Sequence, residues 1–196
     1  MNRKISIIIV CTYLLVWAVP VFGCLSNTIN IGLLNNDESR LKAELVSLTI
    51  GERTGTNVRL LIYETGEELS EALTIENRDD RIDLTVENLE KIIQTEERTK
   101  ITIIKTEKNT DSLNINDSPT FIHHPLVPGN LNGKGYGFLV FYRNDLLKDY
   151  PLLPRLLAKF SWSLDSNSYQ QLLQFVEDGK KPRNVARDFL KRKTLI

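Results

Sequence analysis

The strongest constraint on the fold is a repeated alternation of short apolar stretches with helical patterns. Residues 29–34 (INIGLL) are mostly apolar, which predicts a first strand. A helical pattern over roughly 38–54 follows, with Asp37 as its predicted N-cap and Gly55 at its end. Residues 58–63 (VRLLIY) then predict a second strand. Strands that alternate with helices pair in parallel, because each helix returns the chain along a face of the sheet.

The same alternation continues and predicts the fold class. A second helix follows the second strand, with Leu69, Leu73 and Ile75 on its core side. The remaining predicted elements are a short strand at 83–86, a helix at 87–94, and strands at 101–104 and 135–141. The sequence therefore predicts a three-layer α/β fold, in which a mostly parallel sheet carries helices on both faces and the C-terminal third is helical.

Four helices are predicted in the C-terminal third, and the first is a short one that begins at Asn144 or Asp145. Pro151 suits the first turn of the second helix, Asp165 or Ser166 caps the next, and Pro182 begins the last. The predicted core residues of these last three helices are Leu152, Leu153, Leu156, Leu157 and Phe160, then Leu172, Leu173 and Val176, and finally Val185, Phe189 and Leu190.

One segment, residues 107–134, interrupts this alternation. It is rich in Asn, Asp, Pro and Gly, which favour turns and loops. We expect an irregular connection here, with at most one short strand near Phe121. A connection of this length inside a compact domain needs a specific explanation.

The N-terminus has the pattern of a secretory signal. Arg3 and Lys4 precede an uncharged run over residues 5–21, which is slightly shorter than the roughly 20 residues that span a bilayer. The sequence Val-Phe-Gly-Cys ending at Cys24 resembles a lipobox. We therefore expect a signal peptide at 1–23, lipidation of Cys24 and a polar tether at 24–28. Two alternatives remain: an uncleaved anchor helix with a chance cysteine, or neither arrangement.

The amino-acid composition excludes several classes of function. Cys11 would leave with the signal and Cys24 would carry lipid, so no thiol remains for a disulfide, a metal or catalysis. Residues 29–196 are long enough for one domain stabilised by its core alone. The formal net charge is zero, which argues against a nucleic-acid partner. We find no nucleophile motif, and therefore expect no catalytic residues, no cofactor and no enzymatic activity.

The two histidines are adjacent, at His123 and His124. Neighbouring side chains on an extended chain point to opposite sides, so this pair is poorly arranged to chelate an ion. We expect no metal site, and a loop or interface role for both residues.

Several segments together resemble one known family. In the C-terminal part these are YRNDLLKDYPLLPRLLAKF and SYQQLLQFVEDGKKPRNVARDFLKRKTLI, and in the N-terminal part INIGLLNN, TGTNVRLL and RIDLTVEN. They resemble the solute-binding component of glycine betaine, choline and proline-type ABC transporters, a type II periplasmic binding protein family. Such proteins usually have two lobes. Here the resemblance implies about one lobe, with residues 107–134 in place of the second.

The resemblance implies a function and partners. It implies an exported lipoprotein that faces the periplasm or the cell exterior, held on the cell membrane or outer envelope by its N-terminal lipid. It would bind a small zwitterionic or cationic osmolyte without covalent chemistry and work with an ABC permease or another membrane protein. The alternative is an interaction or accessory lipoprotein that has lost its ligand.

Candidate ligand residues follow the first and third strands. Asn35, Asn36 and Asp37 follow one, and Glu87 and Asn88 follow the other. Ligands of parallel α/β sheets bind at the carboxyl ends of strands. The same residue types also serve as helix caps and turn formers, which is the alternative interpretation of all five.

An aromatic cage for a quaternary ammonium group is not visible in the sequence. The family segment resembled by RIDLTVEN has a Tyr after its Glu, whereas Asn88 follows Glu87 here. Trp162 is expected to pack in the core.

Overall fold

A computed structural model describes residues 28–78, 80–92, 102–105, 119–127 and 138–196. The strands are β1 Ile29–Leu34, β2 Val58–Tyr63, β3 Leu84–Thr85, β4 Thr102–Lys105, β5 Thr120–Val127 and β6 Phe138–Arg143. The helices are α1 Asp37–Thr54, α2 Gly66–Leu73, α3 Leu89–Ile92, α4 Leu146–Asp149, α5 Leu153–Ser163, α6 Ser166–Glu177 and α7 Pro182–Arg192.

The strands form one six-stranded sheet in the order β2-β1-β3-β6-β5-β4. β1 pairs in parallel with both β2 and β3, and β4 pairs in parallel with β5. Only β6 runs against its neighbours β3 and β5 within the described strands. The prediction of a mostly parallel sheet is therefore confirmed.

Helices cover both faces of the sheet, which confirms the three-layer α/β prediction. On one face, β1 contributes Ile29, Ile31 and Leu33 to a large buried cluster that also contains side chains of α1, α5, α6 and α7. On the other face, a smaller cluster joins residues of α2 and α3 to Phe121 and Phe141. The helical C-terminal third thus lies mainly on the first face.

Local signals account for several helix ends. Gly55 follows α1 with a φ of 70°, a left-handed conformation that glycine adopts without strain. The Asp165 carboxylate accepts a hydrogen bond from the Ser168 N–H at 2.8 Å and so caps α6, as predicted. Pro182 begins α7, where its missing N–H costs nothing. These features confirm the predicted ends.

The segment around Phe121 differs from its prediction. Instead of at most one short strand, β5 has eight residues and pairs with both β4 and β6. The 107–134 segment therefore contains a central strand of the sheet. Turn-forming residues on both sides of β5 made its apolar stretch difficult to recognise as a strand in the sequence.

Three predicted core residues are exposed: Ile75, Leu152 and Trp162. Ile75 is 39% exposed, because α2 ends at Leu73 before the apolar face reaches it. Leu152 is 65% exposed because it lies just before the first residue of α5 rather than in its buried stripe. The other predicted residues of that stripe are buried or partly buried.

A polar network closes the edge of the sheet where β1 and β3 begin. Arg81 donates to Asp83 and Asp145, both at 2.8 Å. The buried Asp83 carboxylate also accepts a hydrogen bond from the Asn30 N–H at 3.0 Å. The Arg81 side chain is only 15% exposed.

Several predictions lie outside the described residues. These are the signal peptide at 1–23, lipidation at Cys24, most of the tether at 24–28, and residues 107–118 and 128–134 of the connection. Within the described part of the chain, no helix combines the length and the apolar character needed to cross a membrane.

Candidate functional site

The carboxyl ends of β1 and β3 meet at one edge of the sheet. The strands are direct neighbours, with Ile31 opposite Leu84 and Gly32 opposite Thr85. The Leu34 N–H donates a hydrogen bond to Glu87 Oε1 at 3.2 Å, which joins the two loops. The fold therefore brings the two predicted groups, Asn35 to Asp37 and Glu87 to Asn88, to the same edge.

Asn36 is the N-cap of α1. Its side-chain oxygen accepts a hydrogen bond from the Ser39 N–H at 2.8 Å. The prediction that Asp37 caps this helix is wrong by one position, because Asp37 is the first residue of α1. Asp37 remains exposed in the first turn, where a negative charge interacts favourably with the helix dipole.

Asn35 connects the loop after β1 to the loop after β2. Its amide donates to both carboxylate oxygens of Glu64, at 2.8 and 3.0 Å, and its oxygen accepts from Arg40 at 2.7 Å. All three side chains form a polar bridge over the edge. The Asn35 amide is thus committed to the protein itself in this conformation.

Glu87 is almost completely buried, with 9% exposure. Its N–H donates to Thr85 Oγ1 at 3.2 Å, and its carboxylate accepts the hydrogen bond from the N–H of Leu34. Asn88 follows it and is half-buried. In the described conformation Glu87 holds the two loops together, and Asn88 is the more accessible of the pair.

Tyr169 adds a phenol to this edge from α6. Its hydroxyl donates to Glu38 Oε1 at 3.1 Å, and Lys42 Nζ lies 2.6 Å from the same oxygen. Burial, and then the negative charge of Glu38, raise the pKa of Tyr169 far above its usual range; Glu87 adds to this effect. Sequence reasoning missed this group because Tyr169 and Glu38 are 131 residues apart.

The aromatic side chains near these helices do not offer an open cage. Tyr169 stacks on Phe138 with ring centroids 5.7 Å apart, and only 2% of its surface is exposed. A ligand cation therefore has no access to the face of its ring. Trp162 is 87% exposed on α5, so the prediction that it packs in the core is wrong.

The histidines lie in β5. His123 stacks on Phe141 with ring centroids 5.0 Å apart. Burial lowers the pKa of His124, and the neighbouring His123 lowers it further. Among residues that the structure describes, no group of three His, Cys, Asp or Glu side chains is close enough to hold a metal ion.

A family model aligns with the C-terminal part of this fold. Residues 127–192 match the substrate binding domain of the ABC-type glycine betaine transport system. The chain resembles glycine betaine-type solute-binding proteins. The match covers β6 and the C-terminal helices, which contain the C-terminal segments of the sequence resemblance, and it confirms that resemblance.

Solved structures extend the fold comparison to most of the chain. One is described as a glycine betaine/carnitine/choline ABC transporter; it has 12% sequence identity, a TM-score of 0.51 and alignment over 87% of this chain and 99% of that chain. Another is lactococcal OpuAC, closed and complexed with glycine betaine, with 11% identity, a TM-score of 0.50, and alignment over 86% of this chain and 96% of that one. At this identity the likeness establishes the fold alone. No curated protein matches the chain.

Proposed function

We propose that the chain is an exported, membrane-anchored lipoprotein that acts as the solute-binding component of an ABC importer for a small zwitterionic or cationic osmolyte. The observation that carries this proposal is the match of residues 127–192 to the substrate binding domain of the ABC-type glycine betaine transport system. It acts by binding rather than by covalent chemistry, and an ABC permease is its partner.

The charge of the β1–β3 edge supports a ligand that carries a positive group. Asp37, Glu38 and Glu64 are exposed carboxylates at this edge. The nearby cations are partly committed, since Arg40 pairs with Asn35 and Lys42 with Glu38. Exposed carboxylates create a local negative field that attracts a positive group. Asn88 and the acidic residues are the groups we expect to face the solute.

The alternative function is an accessory lipoprotein that no longer binds a solute. Three observations favour it: Asn36 is used as a helix cap, Asn35 is hydrogen-bonded to Glu64, and Tyr169 is closed off by burial. In this case the domain retains the fold for contact with a membrane protein.

A ligand screen separates the two functions. The full chain is purified in detergent, and thermal unfolding is followed with glycine betaine, choline, carnitine and proline. A binder shows a saturable rise in Tm, because a ligand at about 100 times its Kd adds about 2.7 kcal/mol to the free energy of unfolding. A flat response to all four solutes favours the accessory function.

Matched variants locate the binding site. Asp37→Asn removes one exposed carboxylate from the β1–β3 edge, and Glu177→Gln removes one from the end of α6. We expect Asp37→Asn to reduce the rise in Tm with choline, and Glu177→Gln to leave it unchanged. Equal loss in both variants would place the ligand elsewhere.

Anchoring is tested separately by metabolic labelling with palmitate in a bacterial host. We expect the wild type and Cys11→Ala to incorporate label and Cys24→Ala to remain unlabelled. Label retained in Cys24→Ala would show acylation at another residue, and an unlabelled wild type would leave an uncleaved anchor as the explanation for membrane attachment.

A further inference from the structure

A basic hollow lies between α6 and α7, on the side of α7 that faces away from the core. Its volume is about 680 Å³, and its lining includes Lys180, Lys181, Lys191 and Arg192. Asp188 is the single acidic residue of that lining. The lining also includes Phe175 and Val185, which give the hollow an apolar floor beneath its cationic rim.

A second hollow adjoins the first. It has a volume of about 350 Å³, shares Phe175 and Arg192 with the first hollow, and adds Lys193. The two together form a continuous basic surface, which we call the α7 surface, defined by Lys180, Lys181, Lys191, Arg192 and Lys193. All five side chains are exposed.

Positive charge is concentrated in this part of the chain. Residues 180–193 contain seven basic residues and one acidic residue, whereas the whole chain has a formal net charge of zero. The excess is therefore balanced elsewhere in the molecule. Such a separation creates a local positive field, although the protein as a whole is neutral.

The cations of the α7 surface make few contacts within the fold. Lys193 lies over the ring of Phe189, 5.9 Å from its centroid, and Arg192 Nε donates to the Asp188 carbonyl at 3.4 Å. Val185, Phe189 and Leu190 supply the buried face of α7. Ion pairs between described residues include Arg183 with Glu44 at 3.8 Å, but none involves the five cations of the α7 surface. Lys180 instead lies over the ring of Phe175, 4.0 Å from its centroid.

We propose that the α7 surface docks onto anionic phospholipid headgroups. Five exposed cations spread over two adjoining hollows can interact with several negative charges at once, which a phospholipid surface supplies and one small anion does not. Lysine binds phosphate as a point charge, and aromatic and aliphatic groups beneath the rim suit the interfacial layer. Each such cation near an anionic membrane adds about a factor of five to the partition coefficient. This docking needs no solute and is independent of the proposed function.

The test measures binding of the full chain to vesicles. The vesicles are phosphatidylcholine with either no phosphatidylglycerol or about 30% of it, which is enough to make the surface clearly anionic. The variant Lys181→Gln/Lys191→Gln/Arg192→Gln neutralises the α7 surface. The control Lys148→Gln/Arg155→Gln/Lys159→Gln removes the same charge from exposed positions on α4 and α5. All proteins share the N-terminal apolar segment, so its contribution cancels.

We expect phosphatidylglycerol to raise the partition coefficient of the wild type and of the control variant. The factor by which it raises the partition coefficient of the α7-surface variant should be about 100 times smaller. The advantage should decrease as salt increases, because charge at an exposed surface is screened. Equal dependence on phosphatidylglycerol in all three proteins would overturn the proposal. The proposal would also be overturned if inorganic polyphosphate released more wild-type protein from the vesicles than chloride does at equal ionic strength. The α7 surface would then prefer a soluble polyanion. Circular dichroism confirms that the variants are folded.

Discussion

At the scale of single residues, Gly32 marks the closest approach of β1 to the second face of the sheet. A Cβ added there would lie 2.7 Å from Ile82 Cδ1 and 2.9 Å from Leu69 Cδ1, both in a buried cluster. We expect Gly32→Ala to lower the free energy of unfolding by about 1–3 kcal/mol in urea titrations, because the overfilled core must rearrange.

A matched glycine provides the control. Gly51 lies inside α1, and a Cβ there would meet only the Thr56 carbonyl oxygen at 3.5 Å, an ordinary contact. We expect Gly51→Ala to be neutral or to stabilise by up to about 1 kcal/mol, because alanine favours the helix. Similar destabilisation by both substitutions would contradict the packing argument.

Tyr169 makes stability depend on pH in the alkaline range. Burial raises its pKa above the usual 10.0, and Glu38 raises it further. Above pH 10 the unfolded chain loses this proton while the folded protein retains it, so stability falls as pH rises. We expect the free energy of unfolding of the wild type to fall more steeply than that of Tyr169→Phe, by about 1.4 kcal/mol per pH unit.

Tyr142 limits the interpretation of that experiment. Burial raises its pKa to about 12, so Tyr142→Phe should flatten the curve mainly between pH 10 and 12. Tyr169→Phe should flatten it beyond pH 12 as well, if the fold persists there. Parallel curves for Tyr169→Phe and the wild type would show that the phenol does not remain protonated in the folded state.

The sequence predicted the contacts and burial of some single residues and not those of others. Asp165 was predicted as a cap because its chemistry acts within three residues, on the Ser168 N–H. Tyr169 and Arg81 could not be assigned, because their partners Glu38 and Asp145 are distant in the chain. Trp162 was placed in the core on residue type alone, yet its exposure depends on which side of α5 faces the sheet. Partners that tertiary folding supplies leave no local signal.

At the scale of elements, the ion pairs of Arg81 hold the start of β3 against the loop before α4. The Asp83 side chain is 5% exposed, so removing Arg81 leaves a buried carboxylate without its guanidinium. We expect Arg81→Ala to cost about 3 kcal/mol, within the range for one partner of a buried pair. Urea unfolding measures this difference.

An exposed pair in the same region is the control. Arg78 and Asp149 are 2.9 Å apart, but their side chains are 61% and 40% exposed. Arg78→Ala should therefore cost less than about 1 kcal/mol. If the two substitutions lowered the free energy of unfolding equally, burial would not explain the contribution of the Arg81 network to stability.

Among elements, strands with clear apolar patterns were the most predictable. The bounds predicted for β1 and β2, 29–34 and 58–63, are those observed. The length of β5 was underestimated. Nothing in the sequence pattern indicated that β6 lies between β3 and β5 and runs antiparallel to both. Periodicity identifies an element, whereas strand order depends on contacts between distant segments.

At the scale of the whole molecule, the fold places two separate surfaces on the described part of the chain. The acidic residues of the β1–β3 edge lie in the first turn of α1 and in the loop after β2, and the α7 surface comes from the exposed side of a C-terminal helix. Of these acidic residues only Asp37 belonged to the predicted ligand group, which was placed at this edge because ligands of parallel sheets bind at the carboxyl ends of strands. The α7 surface could not be predicted from the sequence, because its hollows exist only after α6 and α7 pack together.

The last helix, α7, is also expected to be essential for folding. Val185, Phe189, Leu190 and Leu195 are buried in the large cluster, and Arg53 Nε of α1 donates to the Leu195 carbonyl at 2.6 Å. Each large apolar side chain contributes about 1.5–3 kcal/mol on burial, and an entire domain is stable by only about 5–15 kcal/mol. We therefore expect a chain ending at Gly179 to lose its cooperative urea transition and its near-ultraviolet circular dichroism. The full-length α7-surface variant should retain both, because its substitutions are exposed. A cooperative transition in the truncated chain would show that the sheet and α1 form a core without α7.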